Sequence, residues 1–183
     1  MNEIEVQTIL ARAQIARANP ANFNKQELRM LKRQLHQLAE SKSLPAKEFF
    51  ISCLSDSDSD WRLNGLRNLG FHYPCDPAGE ICTQIRTLLL EDTDDDVRSC
   101  AALVLGSRSQ GLDPALLKAL QSDPSEYVRG SAFTALLELG GVPFAVAFGF
   151  GEKVYDGEIE PTFEEIKRIV AEYGIDIEQI DEL

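Results

Sequence analysis

The sequence predicts an all-α fold in which about three pairs of antiparallel helices stack side by side as a solenoid. The first observation is a stretch, residues 92–106, that begins with aspartates, continues with small and apolar residues at helical spacing and ends at a glycine. The second is that related stretches begin 36 residues upstream and 31 residues downstream. The third is that further apolar residues at helical spacing precede each stretch, as a partner helix requires. A period in the thirties is typical of helix-pair solenoids.

The repeats agree in their helix-starting residues as well as in their apolar ones. Asp58, Asp94 and Ser125 each lie three residues before the apolar start and are expected to accept a hydrogen bond from the first turn. Gly70 and Gly106 are expected to end their helices in the left-handed conformation. Small residues at the centre of each repeat would allow neighbouring helices to approach closely. They are Gly65, Ala101 and Ala132.

Apolar spacing, caps and helix breakers place nine helices along the chain. The predicted ranges are 3–18, 25–41, 45–54, 59–70, 77–90, 95–106, 113–121, 125–139 and 163–173. Between the last two, residues 144–151 favour either a short helix or an extended segment. We predict a repeat domain over residues 1–151, with N-terminal capping helices in 1–44. Residues 152–183 are predicted to form an acidic C-terminal extension with one helix, packed on the same domain.

The pattern over residues 49–140, an acid-rich turn, Val-Arg, paired alanines and Leu-Gly, resembles the HEAT-like repeats of bacteria, including those of phycobilisome lyases. The resemblance implies a HEAT-like α-α superhelix. It also implies a structural ladder in which an aspartate before the helix and an arginine after the apolar residue connect successive repeats. The corresponding residues here are Asp56, Arg62, Asp92, Arg98, Asp123 and Arg129. The chain departs from the family at Trp61, which replaces a small aliphatic residue.

Charge limits the classes of partner. The formal net charge is −12, and it is uneven: residues 1–48 carry eight Lys/Arg against five Asp/Glu, whereas residues 152–183 carry three against eleven. An acidic surface repels phosphates, which argues against nucleic acid, and fits a basic protein partner better. Acidity also promotes solubility without any partner. The polar N-terminus and the short apolar run at 142–151 argue against a signal peptide and a membrane span, so we expect a cytoplasmic, reduced protein.

No metal, cofactor or catalytic site is expected. The aspartate runs at 56–60 and 92–96 lack the glycine and glutamate that a calcium loop requires, and capping turns explain them better. His72, Cys75 and Cys82 would be a weak zinc set, because no fourth ligand lies at a usual spacing. The two histidines have no companion residues typical of nucleophilic catalysis. An enzyme is therefore the less favoured interpretation.

Two groups of residues are candidates for partner binding. Trp61, the only tryptophan, is either an oversized core residue or a surface anchor of the kind that dominates interfaces, and Arg67 follows it on the same predicted helix. Phe144, Phe148 and Phe150 either cover the last repeat or leave an apolar edge for a partner.

We therefore expect a non-catalytic HEAT-like repeat protein that mediates protein–protein interaction. One concrete version is an acidic inhibitor or immunity-type protein that covers a basic protein. Two alternatives follow from the resemblance alone: a bilin-lyase-like accessory protein, and a HEAT-like DNA glycosylase. The glycosylase would need aromatic and basic residues in a groove, for which Trp61, Arg62 and Arg67 are the candidates. The negative net charge opposes it.

Overall fold

A computed structural model describes residues 2–73, 76–108 and 111–174. These residues form ten α-helices and a short 3-10 turn at Pro20–Asn22, and contain no β-strand. Contacts divide the chain into two compact units, residues 1–74 (unit 1) and residues 75–183 (unit 2). The all-α prediction is confirmed.

Unit 1 contains four helices. They are α1 (Glu3–Ala18), α2 (Lys25–Glu40), α3 (Leu44–Cys53) and α4 (Ser59–His72). Helices α1 and α4 each pack on both α2 and α3, and the core of the unit lies among these four helices. Leu31, Leu35, Phe50 and Leu66 are fully buried there. Each contributes about 1.5–3 kcal/mol of hydrophobic stabilisation.

Unit 2 contains six helices. They are α5 (Glu80–Glu91), α6 (Asp95–Gly106), α7 (Pro114–Ser122), α8 (Glu126–Leu139), α9 (Phe144–Tyr155) and α10 (Phe163–Glu172). Helix α8 is central, because it packs against α6, α7, α9 and α10. Phe133 on α8 is fully buried, as are Leu89 on α5 and Leu116 on α7. Every helix of the unit therefore covers apolar surface of a neighbour, as the solenoid prediction requires.

Eight of the nine predicted helices begin within one residue of their observed starts, and α5 begins three residues later than predicted. The ambiguous segment 144–151 is helical and continues to Tyr155. Its aromatics and glycines disfavour an isolated helix, but burial against α8 overrides that weak propensity. Helix α9 also continues across residues 151 and 152, where the sequence places a domain boundary. That division into domains stays a prediction.

The two glycines expected to end helices do not adopt the left-handed conformation. Gly70 lies inside α4, Gly106 is the last residue of α6, and neither has a positive φ. A Cβ on Gly106 would lie 2.6 Å from Cβ of Ala135, so this glycine allows α6 and α8 to touch. The prediction was wrong because a glycine in the sequence has two possible explanations. It can be required by a left-handed backbone conformation or by the close approach of another helix, and the sequence does not distinguish them. Gly174, with φ +71°, does follow α10 as predicted.

Aspartates organise the turn before the second helix of each repeat. Oδ1 of Asp56 accepts the N–H of Asp58, and Oδ1 of Asp92 accepts the N–H of Asp94, both at 2.9 Å. Such side-chain turns hold the chain in position for a helix to start. The predicted caps Asp58 and Asp94 then accept N–H groups from their own first turns.

The third predicted cap is wrong. Ser125 makes no capping bond, and its hydroxyl lies 3.2 Å from Oδ2 of Asp95. The hydroxyl donates to the Asp95 carboxylate, and hydrogen bonds to an ionised acceptor are stronger than those between neutral groups. Asp123 supplies the turn instead, because its Oδ1 accepts the N–H of Ser125 at 2.9 Å.

In each repeat, the arginine of the Val-Arg or Trp-Arg pair donates a hydrogen bond to the aspartate turn that precedes its own helix. Its Nη1 donates to the backbone oxygen of the aspartate six residues earlier. The pairs are Arg62 with Asp56 at 2.8 Å, Arg98 with Asp92 at 2.9 Å and Arg129 with Asp123 at 2.9 Å. The guanidinium thus satisfies a carbonyl that the turn leaves without a helical partner.

Arg98 also connects two successive repeats of unit 2. Its Nε and Nη2 donate to the two carboxylate oxygens of Asp123 at 2.8 and 3.0 Å. The two side chains are only 10% and 6% exposed. The hydrogen bond from Arg98 to the Asp123 carboxylate raises the pKa of the guanidinium. Similar bonds join Arg86 to Asp113 at 2.8 Å in unit 2 and Arg17 to Asp56 at 2.7 Å in unit 1.

The oxidation state of one cysteine differs from the fully reduced protein that the sequence predicts. Cys53 and Cys100 are not disulfide-bonded, and burial raises the pKa of Cys53 to about 12. Cys82, in contrast, is disulfide-bonded. Its sulfur is therefore not a thiolate ligand for zinc. Cys75 lies outside the described residues.

Glu138 on α8 makes stability depend on pH. Its Oε2 is buried with no hydrogen-bond partner among the described residues, and this burial raises the pKa of the carboxyl. As pH rises, the unfolded chain loses this proton before the folded chain does, so the Glu138 contribution to stability falls above about pH 4.5, the ordinary value.

We expect Glu138→Gln to be more stable than the parent at pH 7 and to lose that advantage at pH 4. The measurement is urea denaturation of both proteins across this pH range. Glu91 is an exposed residue at the end of α5, so Glu91→Gln is the control. An identical pH dependence of parent and Glu138→Gln would contradict the assignment.

Candidate protein-interaction surface

The first predicted anchor lies in the core of unit 1. Trp61 is 3% exposed, and its ring meets the Phe49 ring edge-to-face with centroids 6.2 Å apart. The Lys32 ammonium lies 5.9 Å from the indole centroid. Arg67, on the same helix, is exposed. Of the two alternatives for Trp61, its burial corresponds to the oversized core residue.

The three phenylalanines of α9 do not share one environment. Phe144 and Phe148 are 49% and 43% exposed, and their ring centroids are 5.9 Å apart. Phe150 is partly buried, with the Lys153 ammonium 5.4 Å from its ring centroid. Trp61 and Arg67 belong to unit 1, whereas these phenylalanines belong to unit 2.

Two tyrosines extend this aromatic surface and were not predicted. Tyr127 on α8 is 44% exposed and Tyr155 on α9 is 56% exposed. Their rings meet nearly at right angles, with centroids 6.0 Å apart. Tyr155 follows Phe148 by seven residues, a spacing that places both on one helix face and could have been noticed. Tyr127 gave no such indication, because it lies on another helix. Tyr127, Phe144, Phe148 and Tyr155 are called the aromatic surface below.

Glycines explain why α8 and α9 lie close enough to form this surface. A Cβ on Gly130 would be 2.6 Å from the backbone oxygen of Gly151, and one on Gly151 would be 2.7 Å from that of Gly130. Ala147, one turn earlier on α9, is fully buried at the same interface. The two backbones touch only because no side chain separates them.

A cavity of about 400 Å³ opens beside this contact. Its side chains come from both helices. They include Tyr127, Ser131, Thr134, Phe148, Glu152 and Tyr155.

The hydroxyls in the cavity already have partners. Ser131 Oγ donates to the Tyr127 carbonyl at 3.0 Å and lies 2.7 Å from Ser99 Oγ. Thr134 Oγ1 donates to the Gly130 carbonyl at 3.0 Å. The surface offered to a ligand is therefore mainly aromatic, with the Glu152 carboxylate as its charged group.

The part of the chain that the structure describes also bears on the metal-site and histidine alternatives that the sequence raises. No cluster of three or more histidine, cysteine, aspartate or glutamate side chains suited to a metal occurs in residues 2–73, 76–108 and 111–174. His36 and His72 stack edge-to-face in unit 1, and His36 Nδ1 lies 3.2 Å from Asn68 Oδ1. The same ranges contain no helix long and apolar enough to span a membrane.

Residues 47–137 match the family model for HEAT repeats. This segment of the chain consists of HEAT repeats. The match begins within α3 and ends within α8, so it extends across all three predicted pairs and omits only the first two and last two residues of their range. A HEAT-repeat scaffold is suited to protein interaction, because stacked helices present an extended surface. The matched model does not point to the phycobilisome-lyase type. Comparisons with curated proteins and with solved structures gave no significant match.

Tyr127 belongs to the matched HEAT segment, whereas α9 follows it. The aromatic surface is therefore formed by the last helix of the matched segment and the helix that follows it. Repeat arrays usually end in a cap with a polar outer face. Here α9 covers α8 on one side and leaves Phe144, Phe148 and Tyr155 exposed on another.

Proposed function

We propose that this HEAT-repeat protein is a non-catalytic binding module that uses the aromatic surface to hold a protein with a basic contact region. The observation that carries the proposal is the group of four aromatic residues that are 43–56% exposed on α8 and α9. Large aromatic residues are enriched at the centres of protein interfaces, where they supply contact area at low entropic cost. These four lie on two adjacent helices, whereas exposed apolar residues scattered singly are normal on a monomer and need no explanation.

The sign of the charge favours a basic partner. The chain has a net charge of −12, and residues 152–183 contribute −8 of it, three basic against eleven acidic residues. Long-range attraction between opposite charges increases the rate of association and excludes acidic partners. A protein that covers and inhibits a basic toxin or enzyme, as an immunity-type protein does, is the specific form that we propose.

The alternatives receive less support. A glycosylase would use Trp61 to hold an extruded base, but this side chain is 3% exposed in the core of unit 1. The bilin-lyase-like accessory role rests on the sequence resemblance alone. Incubation with a bilin and assay of methylated-base release from DNA would test these two roles directly.

The test is affinity capture from the native lysate, followed by purification of the captured protein and measurement of its Kd. We expect a basic protein whose binding weakens as salt rises from 50 to 500 mM, conditions under which surface charges are increasingly screened. Phe148→Ser should weaken binding at least roughly tenfold, as expected for an interface anchor.

Phe71→Ser is the matched control, because Phe71 is also exposed, at 64%, but lies on α4 of unit 1. It should leave Kd unchanged. Equal losses in the two variants, or the absence of any reproducible protein partner at low salt, would contradict the proposal.

A further inference from the structure

We infer that the cavity between α8 and α9 binds one arginine side chain of the partner. This inference rests on the proposed function and specifies the chemistry of its central contact. The cavity presents three aromatic rings, from Tyr127, Phe148 and Tyr155, together with the carboxylate of Glu152. Aromatic faces attract cations, and a carboxylate completes the recognition by charge and hydrogen bonding.

The charges near the cavity leave its carboxylate available. Glu152 has no ion pair among the described residues. The neighbouring Lys153 lies over the Phe150 ring instead. On α8, Arg129 donates to the Asp123 carbonyl at 2.9 Å and to Glu126 at 3.4 Å. The nearby cations of the chain are thus engaged elsewhere, and an external cation complements the cavity.

The geometry favours a guanidinium over an ammonium group. The rings of Tyr127 and Tyr155 are inclined at 78°, and both residues line the cavity. A planar guanidinium stacks on an aromatic face and can still donate two parallel hydrogen bonds to a carboxylate such as that of Glu152. A lysine ammonium is compact and strongly hydrated, and therefore gives up more on entering an aromatic cavity.

The Ser131 and Thr134 hydroxyls reinforce this selectivity. Both donate to backbone carbonyls within α8, at 3.0 Å each. They are therefore not available to donate to a neutral polar ligand. A neutral ligand of the same shape, such as a citrulline side chain, would bring a carbonyl oxygen that finds no donor among these hydroxyls, and it would gain no cation–π attraction.

The experiment uses the full chain, labelled with ¹⁵N, and three small probes. Nα-acetyl-arginine amide carries the guanidinium, Nα-acetyl-citrulline amide has the same shape without charge, and Nα-acetyl-lysine amide carries an ammonium. We expect the arginine probe to shift backbone signals of α8 and α9 with a Kd on the order of 1 mM, typical of one side chain. The citrulline and lysine probes should bind roughly tenfold more weakly.

Variants then locate the site. Glu152→Gln and Tyr155→Ala should each weaken the arginine probe roughly tenfold. Both residues are exposed, so their replacement should leave the circular dichroism spectrum unchanged. Glu158 is another exposed acidic residue and lies shortly after α9, so Glu158→Gln is the control. This variant should bind the arginine probe as the parent does.

Several results would overturn the inference. They are equal binding of citrulline, shifts confined to other helices, unchanged binding by Glu152→Gln, or sedimentation showing that a second copy of the chain occupies the cavity. If the arginine probe fails while Phe148→Ser still weakens the purified partner, the arginine site is wrong and the proposed function stands. If the probe binds as expected but no protein partner exists, the proposed function fails and the cavity chemistry stands.

Discussion

Arg98→Met is expected to lower the free energy of unfolding by about 3–5 kcal/mol, the usual cost of leaving one buried charge without its partner. The substitution keeps most of the apolar stem but removes both hydrogen bonds to Asp123, whose side chain is only 6% exposed. It also removes the bond to the Asp92 carbonyl. Since a domain of this kind is stable by only about 5–15 kcal/mol, the loss is large.

The measurement is urea denaturation followed by far-ultraviolet circular dichroism. Arg129→Met is the matched control, because Arg129 has the same position in the next repeat but its carboxylate partner, Glu126, is 60% exposed. It should cost about 1 kcal/mol, as expected for one hydrogen bond and an exposed ion pair. The double variant Arg98→Met/Asp123→Asn should be more stable than the sum of its single variants predicts. Equal costs for Arg98→Met and Arg129→Met would contradict the assigned role.

The second large effect is expected from Gly151→Ala, which should destabilise the protein. The same substitution at the neighbouring Gly149 should stabilise it. An added Cβ would overlap Thr134 Oγ1 and lie 2.7 Å from the Gly130 carbonyl oxygen. Helices α8 and α9 would have to separate, at a cost of about 2 kcal/mol. Gly149, on the same helix, has nothing within 4 Å of an added Cβ. Gly149→Ala should therefore stabilise the protein by up to about 1 kcal/mol, because alanine favours a helix over glycine.

Thermal denaturation distinguishes these outcomes. Since 1 kcal/mol shifts Tm by about 2–4 °C in a chain of this size, Gly151→Ala should lower Tm and Gly149→Ala should raise it. Stabilisation by both substitutions would mean that α9 is not held against α8 at Gly151. The separation should also displace Tyr127 from Tyr155, so Gly151→Ala should weaken the arginine probe even where the protein remains folded.

The helices were predictable from the sequence because their determinants are local. Asp94 before Val97 and Asn24 before Glu27 are caps that act within one turn, and the structure contains both. The repeat spacing then indicates which helices are neighbours. Gly106 was misassigned because its function depends on Ala135, a residue 29 positions away that sequence alone does not place beside it.

The candidate site was only partly predictable, for the same reason. Phe144, Phe148 and Phe150 were identified because three phenylalanines lie within one short apolar segment of the sequence. Tyr127 was not, since its contact with Tyr155 requires two helices to meet. Trp61 was a candidate because tryptophan is enriched at interfaces. The structure instead buries it in the core of unit 1. Composition indicates what a side chain can do, whereas burial decides whether it is available.

The most direct measurement is photo-crosslinking in cells with a photoreactive phenylalanine analogue placed at one position at a time. Phe148 and Phe71 are the two positions, because both are exposed phenylalanines and they lie on α9 and α4. We predict one defined protein adduct from position 148 and none from position 71. An adduct from position 71 with none from position 148 would contradict the assignment of the aromatic surface as the place where a partner binds.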